Sequence, residues 1–337
     1  MREAVDMARA HDAAAVQPVS VVVPAHDEEA VIERCLRAML EGAEPGELDI
    51  VVVANGCRDA TAARARAVAA EHPGAVRVVE LERPSKHGAL VRGDAEARGF
   101  PRFFVDADVS LPLAALRSVA AVLRRGEALV AAPRMQVDLG ESSWAARAYY
   151  RVWMRLPYHR SGTIGSGVYA LSEAGRARVG PFPDIISDDG YVRLCFAPAE
   201  RASIAGATFT ITAPRDLAGV LAVKTRSQKG WRQLREQFPA LVANDGSDYG
   251  GALGPLLADV RVWPALPVYA LVAAITKFRA WRLNRSGRLA DWERDESSRR
   301  PQAGGERDES SRRPQAGGER DESSRRPQAG GERDESR

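Results

Sequence analysis

At 337 residues with 45% hydrophobic content, the chain is long enough to bury a full core as one large domain or two small ones. Its 48 Lys and Arg against 45 Asp and Glu leave a formal net charge of +3. That excess is too mild for nucleic-acid binding, which calls for a clustered basic face. Cys35, Cys57 and Cys195 form no CxxC pair, which argues against a disulfide framework or a structural zinc site.

The opening stretch, MREAVDMARAHDAAAVQP, has no apolar run of signal-peptide length and mixes acids with bases. Residues 1–17 therefore read as an extension ahead of a cytoplasmic catalytic body. Short apolar runs follow at 19–23, 50–53, 76–81, 103–105 and 128–132. Between them, 28–40, 59–70, 86–97 and 112–123 have helix-like composition and spacing. Valine-rich strands alternating with helices predict an α/β fold with a mostly parallel central sheet covered by helices on both faces. Ligands of such sheets bind beyond the carboxyl ends of the strands, so the residues after each run are the ones that matter.

The first run ends in Pro24-Ala25-His26-Asp27-Glu28-Glu29. Glycines would let backbone N–H groups approach a phosphate; three carboxylates repel one and suit a base and ribose instead. The plainer account is that Asp27 caps the next helix and the two glutamates favour its start. The second run ends in Ala54-Asn55-Gly56-Cys57-Arg58-Asp59. Asn55-Gly56 reads as a tight turn and Asp59 as a helix cap, with a base contact from Asn55 as the alternative. Lys86, opening the helix-like stretch after 76–81, is either a phosphate partner or a solvated surface residue.

The fourth run ends in Asp106-Ala107-Asp108. In an extended segment the two aspartates point the same way, and paired carboxylates suit a hard divalent cation such as Mg²⁺ or Mn²⁺ that takes the rest of its shell from water and a diphosphate. The competing account is a solvated strand end. Farther on, Gly162, Gly165 and Gly167 allow close approach of a bulky ligand. Asp188 and Asp189 then follow a short apolar run, where one acid raises the pKa of the other or both merely open a helix. The segment 224–231, KTRSQKGW, reads as a basic loop with an aromatic.

In this order the segments VVVPAHDEE, VVVANGCRDAT, PSKHGAL, FFVDAD, GTIGSGVY, IISDDGYVRL and TRSQKGW resemble the family 2 glycosyltransferases of the GT-A fold, over about two thirds of the chain. The resemblance implies a nucleotide-sugar donor, with Pro24, Ala25, His26, Glu28 and Asn55 around the base and ribose and Lys86 approaching the diphosphate. It also implies Asp106 on the ribose, Asp106 and Asp108 on a Mn or Mg ion, and Asp189 as the base that deprotonates an acceptor hydroxyl. Arg226 and Lys229 then face the diphosphate; Gly165, Gly167, Asp188 and Trp231 lie on the acceptor side. Two positions depart from the family: His26 replaces an aromatic, and Ala54-Asn55 replaces an aspartate that reads the base. The expected activity is inverting transfer of a sugar to a saccharide or lipid-linked acceptor. The alternatives are a nucleotidyltransferase on a similar sheet and an inactive nucleotide-sugar-binding protein.

Two stretches remain. Within the C-terminal segment 246–292, residues 262–276 are apolar but shorter than the ~20 residues that cross a bilayer. Lys277, Arg279, Arg282, Arg285 and Arg288 come next, interspersed with aromatics. This pattern fits either a helix lying at the anionic inner face of the plasma membrane or a core-packing helix. Arg147, Arg151 and Arg155 recur every four residues and mark an exposed helix face. The tail, 293–337, repeats ERDESSRRPQAGG with no Val, Ile, Leu, Phe, Tyr or Trp, and composition predicts disorder with no site.

Overall fold

The computed structural model describes residues 17–156, 159, 164, 166–246 and 253–285. The 1–16 extension, residues 286–292, the repeat tail and Gly162, Thr163 and Gly165 lie outside the described residues.

Eight strands build one sheet: β1 (Val19–Ala25), β2 (Leu48–Asn55), β3 (Val76–Leu81), β4 (Arg102–Val105), β5 (Val109–Ser110), β6 (Val130–Asp138), β7 (Val168–Leu171) and β8 (Arg201–Thr212), in the order β3-β2-β1-β4-β7-β6-β8-β5. The half from β3 to β4 is wholly parallel, with Val21 opposite both Ile50 and Phe103. β7 enters antiparallel between β4 and β6, so the sheet is mixed beyond its centre. Eleven helices accompany it among the described residues: α1 (Ile32–Leu40), α2 (Thr61–Glu71), α3 (Lys86–Glu96), α4 (Leu113–Arg124), α5 (Trp144–Trp153), α6 (Glu173–Val179), α7 (Asp188–Leu194), α8 (Leu217–Gln237), α9 (Pro239–Val242), α10 (Leu253–Ala258) and α11 (Leu266–Arg285).

The alternation of side chains along β1 explains why its valines are all buried. Val21 and Val23 enter a cluster with Ile32, Leu36 and Met39 of α1 and Leu116 and Val119 of α4. Val22 faces the other way, into a cluster with Leu90 of α3, Phe104 and Tyr169. Strands sandwiched this way carry apolar residues on both faces, which is the pattern read from the sequence. α1 starts four residues later than expected, at Ile32. Glu28 and its neighbours first make a turn in which the Glu28 carbonyl accepts the N–H groups of both Val31 and Ile32.

The amino ends of the strands are closed by a buried polar knot. Asp49 accepts hydrogen bonds from Ser20 Oγ (2.9 Å), Arg98 N–H (2.9 Å) and Arg77 Nη2 (2.8 Å). Burial alone would raise its pKa, but the Arg77 guanidinium and these hydrogen bonds hold the carboxyl below its usual range. The carboxyl ends, where a ligand of this fold binds, are left open.

On the far side of the sheet, Tyr149 and Tyr150 of α5 pack with Val220 of α8 and Val272 of α11. Tyr149 stacks on Tyr269 with ring centroids 5.4 Å apart. The C-terminal helices are therefore seated on the sheet-bearing body. A six-residue 3₁₀ segment, Val260–Ala265, leads into α11, and Val260–Arg282 gives 23 residues long and apolar enough to cross a membrane by length and composition. That corrects the shorter span expected from 262–276, because the helical segment runs on through Lys277 and Arg279.

Candidate active site

Three loops meet at the carboxyl ends of β1, β2 and β3, and their polar groups bind one another. Asn55 donates from Nδ2 to the Ala25 carbonyl (2.7 Å), while its Oδ1 accepts the Ser85 N–H (3.0 Å). Its side chain is spent on joining β1 to the loop before α3, which corrects the expectation of an amide presented to a base. Asp27 accepts the Arg58 N–H at 2.7 Å rather than capping α1. Asp59 accepts the N–H groups of Glu29 and Thr61, both at 3.0 Å; the N-cap position of α2 is Ala60, and the Asp59 carboxylate one residue earlier takes the first N–H of the helix. Thr61 Oγ1, fully buried, accepts the Glu28 N–H at 2.7 Å. His26 faces the Asn55 carbonyl through Nδ1 at 2.6 Å. Pro24, Ala25, His26 and Glu28 thus lie on one stitched rim.

Ser85 caps α3 by accepting the Gly88 N–H at 2.9 Å, and Lys86 is the first residue of the helix. Its ammonium lies 2.9 Å from Asp106 Oδ1 and 2.8 Å from Asp188 Oδ1, bridging the end of β4 to the start of α7. Burial pushes the Lys86 pKa down, but the two carboxylates more than reverse this, so the ammonium stays charged.

Asp106 and Asp108 are not in extended backbone. A turn closed by the Val109 N–H on the Asp106 carbonyl (3.1 Å) separates β4 from β5, so strand alternation does not govern where the two side chains point. Their charges nevertheless gather. Burial first, then Asp108, Asp106 and Glu28, push the Cys35 thiol up, with Arg34 opposing them. Gly167, at φ +99°, passes so close that a Cβ there would stand 3.3 Å from Asp106 Oδ2 and 3.0 Å from Val109 Cγ2. The missing side chain keeps one edge of the Asp106 carboxylate open, which fits a divalent cation held by hard oxygens. A second grouping, His26, Asp27 and Cys57, brings three ligand atoms within 4.8 Å of one another on the rim.

Asp188 and Asp189 do open a helix, α7, and they also line the cleft. Their surroundings split them. Burial raises the Asp188 carboxyl above its usual range, against the pull of Lys86. Asp189 feels the same burial but is held below its usual range by Lys86 and by hydrogen bonds from Ser166 N–H (2.8 Å), Ser187 Oγ (2.9 Å) and Gly190 N–H (2.7 Å). Burial, ahead of the neighbouring acid, sets the raised member, and it is Asp188; Asp189, the acid that the family resemblance matches to the base, is the lowered one.

The cleft holds about 220 Å³ of empty space, part of it open to solvent, between Pro24, Lys86, Asp106, Gly167, Asp188 and Asp189. Leu90, Phe104, Val105 and Tyr169 complete its wall, and the sequence had suggested no site role for any of them. Tyr169 stacks on Phe104 at 5.0 Å and points its hydroxyl 3.5 Å from Asp188 Oδ2. The signal was there: a tyrosine in a strand directly after a glycine run.

Residues 224–231 are about two turns in the middle of α8, not a loop. Gly230 touches the segment before α7 so closely that a Cβ would come 2.9 Å from Ser187 Cβ, so α8 supports the acid pair from behind. Lys229 is buried, and Trp231 packs beside Ile185, Leu194 and Leu234. Neither stands in an exposed loop. Arg226 does act electrostatically on Lys86, in the direction expected of a second cation near the cleft. Lys224 faces away, its ammonium 3.4 Å from the centre of the Trp153 ring.

Residues 20–174 match the model of glycosyl transferase family 2. The mannosyltransferase PcManGT from Pyrobaculum calidifontis, solved with GDP-Man and Mn²⁺, superposes with a TM-score of 0.54 at 22% identity, over 82% of this chain and 81% of that one. Glucosyl-3-phosphoglycerate synthase from Mycobacterium tuberculosis, solved with Mn²⁺, UDP and glucosyl-3-phosphoglycerate, aligns at 20% identity over 65% and 79% of the two chains, with a TM-score of 0.47. TarS 1-349 from S. aureus, solved with UDP-GlcNAc, gives a TM-score of 0.44 at 17% identity over 58% of each chain. No curated protein matches the sequence.

Proposed function

We propose that this chain, which matches the model of glycosyl transferase family 2 over residues 20–174 and has a GT-A-like fold, moves a sugar from a nucleoside-diphosphate sugar to an acceptor hydroxyl with inversion at the anomeric carbon. The observation that carries this reading is the Lys86 ammonium set between Asp106 and Asp188, with Asp189 beside them, at the carboxyl ends of the parallel strands. One cation and three acids around a small cleft suit a diphosphate that leaves and a hydroxyl that loses its proton.

The cleft takes the diphosphate and the sugar, and the base and ribose extend along the rim of Pro24, Ala25, His26 and Glu28. Lys86 turns toward the diphosphate oxygens, a charge-assisted contact that replaces one of its carboxylates. Asp106 and Asp108 would hold a Mn or Mg ion, the oxygen set that such ions favour. Bound there, the ion supplies Lewis-acid neutralisation of charge on the departing diphosphate. Asp189 takes the proton of the acceptor hydroxyl as its oxygen bonds to the anomeric carbon and the carbon–diphosphate bond breaks. A carboxylate of low basicity serves here, because the hydroxyl becomes acidic only as the new bond forms. The hydrogen bonds from Ser166, Ser187 and Gly190 hold it in one orientation. Gly167 and Tyr169 border the sugar, with Asp188 between Lys86 and the acceptor. The acceptor is a saccharide or a lipid-linked sugar.

The test separates binding from turnover. Asp189→Asn is expected to bind nucleoside diphosphate as the parent does while losing transfer by about 10²–10⁴-fold, the usual contribution of a positioned base. Full transfer in Asp189→Asn together with its loss in Asp188→Asn would hand the proton to the raised member of the pair. Release of pyrophosphate from a triphosphate and a sugar phosphate would show a nucleotidyltransferase instead.

A further inference from the structure

We propose that the outer face of α11, with Trp263 just before it, docks this protein in the plane of an anionic lipid bilayer. The helix has two faces. Val272, Thr276 and Ala280 are buried, Val272 against Tyr149, Tyr150 and Val220, and Val262 and Ala265 before them are buried in a separate cluster with Ala148 and Val152. At 100° per residue, Pro267, Ala270, Leu271, Ala274, Phe278 and Trp281 fall on the opposite side. All six are exposed: Leu271 keeps 55% of its surface, Phe278 58% and Trp281 47%, while Trp263 keeps 55%. Phe278 and Trp281 stack side by side, 5.9 Å apart. An apolar stripe of this size, turned away from the core, marks an interaction surface.

Charge selects the occupant. From Val260 to Arg285 the chain has no acidic residue, and the exposed Lys277 and Arg282 border the stripe on its two sides, with Arg279 exposed farther round the helix. Aromatics with flanking bases match the boundary of an anionic bilayer, where rings enter the headgroup region and bases meet phosphates. A second copy of the chain would set these bases against one another. The helix is long enough to span, but its inner face is packed on α5 and α8, which keeps that face from lipid. It lies on the bilayer rather than across it.

The test uses purified full-length protein and sedimentation with phosphatidylcholine vesicles, with or without phosphatidylglycerol. The parent protein is expected to sediment with the anionic vesicles, to leave them in high salt, and to bind neutral vesicles at least about tenfold more weakly. Leu271→Glu/Phe278→Glu should lose anionic binding by a similar factor while keeping the parent's melting temperature and its vesicle-free donor turnover. Equal binding by parent and double variant overturns the proposal, as does no binding at all. A parent dimer in ultracentrifugation that the double variant splits would show that a second copy covers the face. Retention through salt and alkaline carbonate would show a span. Binding is read without donor or acceptor, so the result stands apart from the transfer chemistry.

Discussion

Two lysines, both drawn out of water by helices, meet opposite fates in this molecule. Lys86 opens α3 and finds Asp106 and Asp188; burial is outweighed and its proton is held. Lys224 lies on α8 among Trp153, Tyr150 and Tyr149, with its ammonium 3.4, 5.4 and 5.7 Å from their ring centres; burial wins and its pKa falls to about 7. The residue type is the same and so is the direction of the desolvation effect. The partners decide. A buried charge among carboxylates at the end of a parallel strand belongs to a site that expects an anion. A buried charge among aromatic rings joins two helices through ring–cation attraction.

Exchanging either lysine sharpens the contrast. Lys86→Met leaves Asp106 and Asp188 facing each other without their cation. Transfer should fall by about 10²–10³-fold, and the fold should lose roughly 3 kcal/mol at neutral pH in chemical denaturation, as when one partner of a buried pair is removed. Next in size is Asp49→Asn at the closed end of the sheet. It leaves Arg77 short of its buried acceptor and should cost about 2 kcal/mol of stability with transfer per folded molecule unchanged. The Asp49 pKa is depressed in the folded state, so the stability this carboxylate contributes is present above its unfolded value and fades as acid takes pH down through the folded one. The acid arm of the parent's stability profile should therefore flatten in Asp49→Asn.

The smaller effects concern glycine and Lys224. Gly167→Ala places a Cβ against Asp106 at a backbone angle that L side chains rarely adopt; stability should drop by about 1–2 kcal/mol and Mn²⁺ affinity should weaken. Lys224→Met should leave transfer within about twofold of the parent. Between the folded pKa near 7 and the unfolded value above it, the unfolded chain holds more protons, so parent stability rises with pH across that window. Removing the amine should abolish that rise, leaving the variant's stability flat with pH across the same window. A Lys224 variant that loses transfer would break the comparison.

Much of the nucleotide half could be read directly. The valine runs of β1 and β2 sit on strands buried on both faces, and 76–81 coincides to the residue with the half-buried edge strand β3. Lys86, Asp106, Asp188 and Asp189 meet in one cleft because each follows or precedes an element whose period was plain. What escaped was cross-talk between loops. Asn55, Asp27 and Asp59 look alike as free polar side chains in sequence, yet their bonds run across 30 or so residues to other strand ends. Only the register of β1 on β2 brings these groups together. The segment 224–231 misled for a different reason. Its basic residues mask helical periodicity, and its buried face is set by Gly230 and Thr225 rather than by large apolar side chains.

The most direct measurement of the central claim is nucleoside diphosphate release from a panel of nucleotide sugars, with and without Mn²⁺, by the parent and by Asp106→Asn/Asp108→Asn. The account predicts release from at least one donor by the parent, strongly enhanced by Mn²⁺, and none of that enhancement in the double variant. Mn²⁺-enhanced release that survives loss of both aspartates would contradict it.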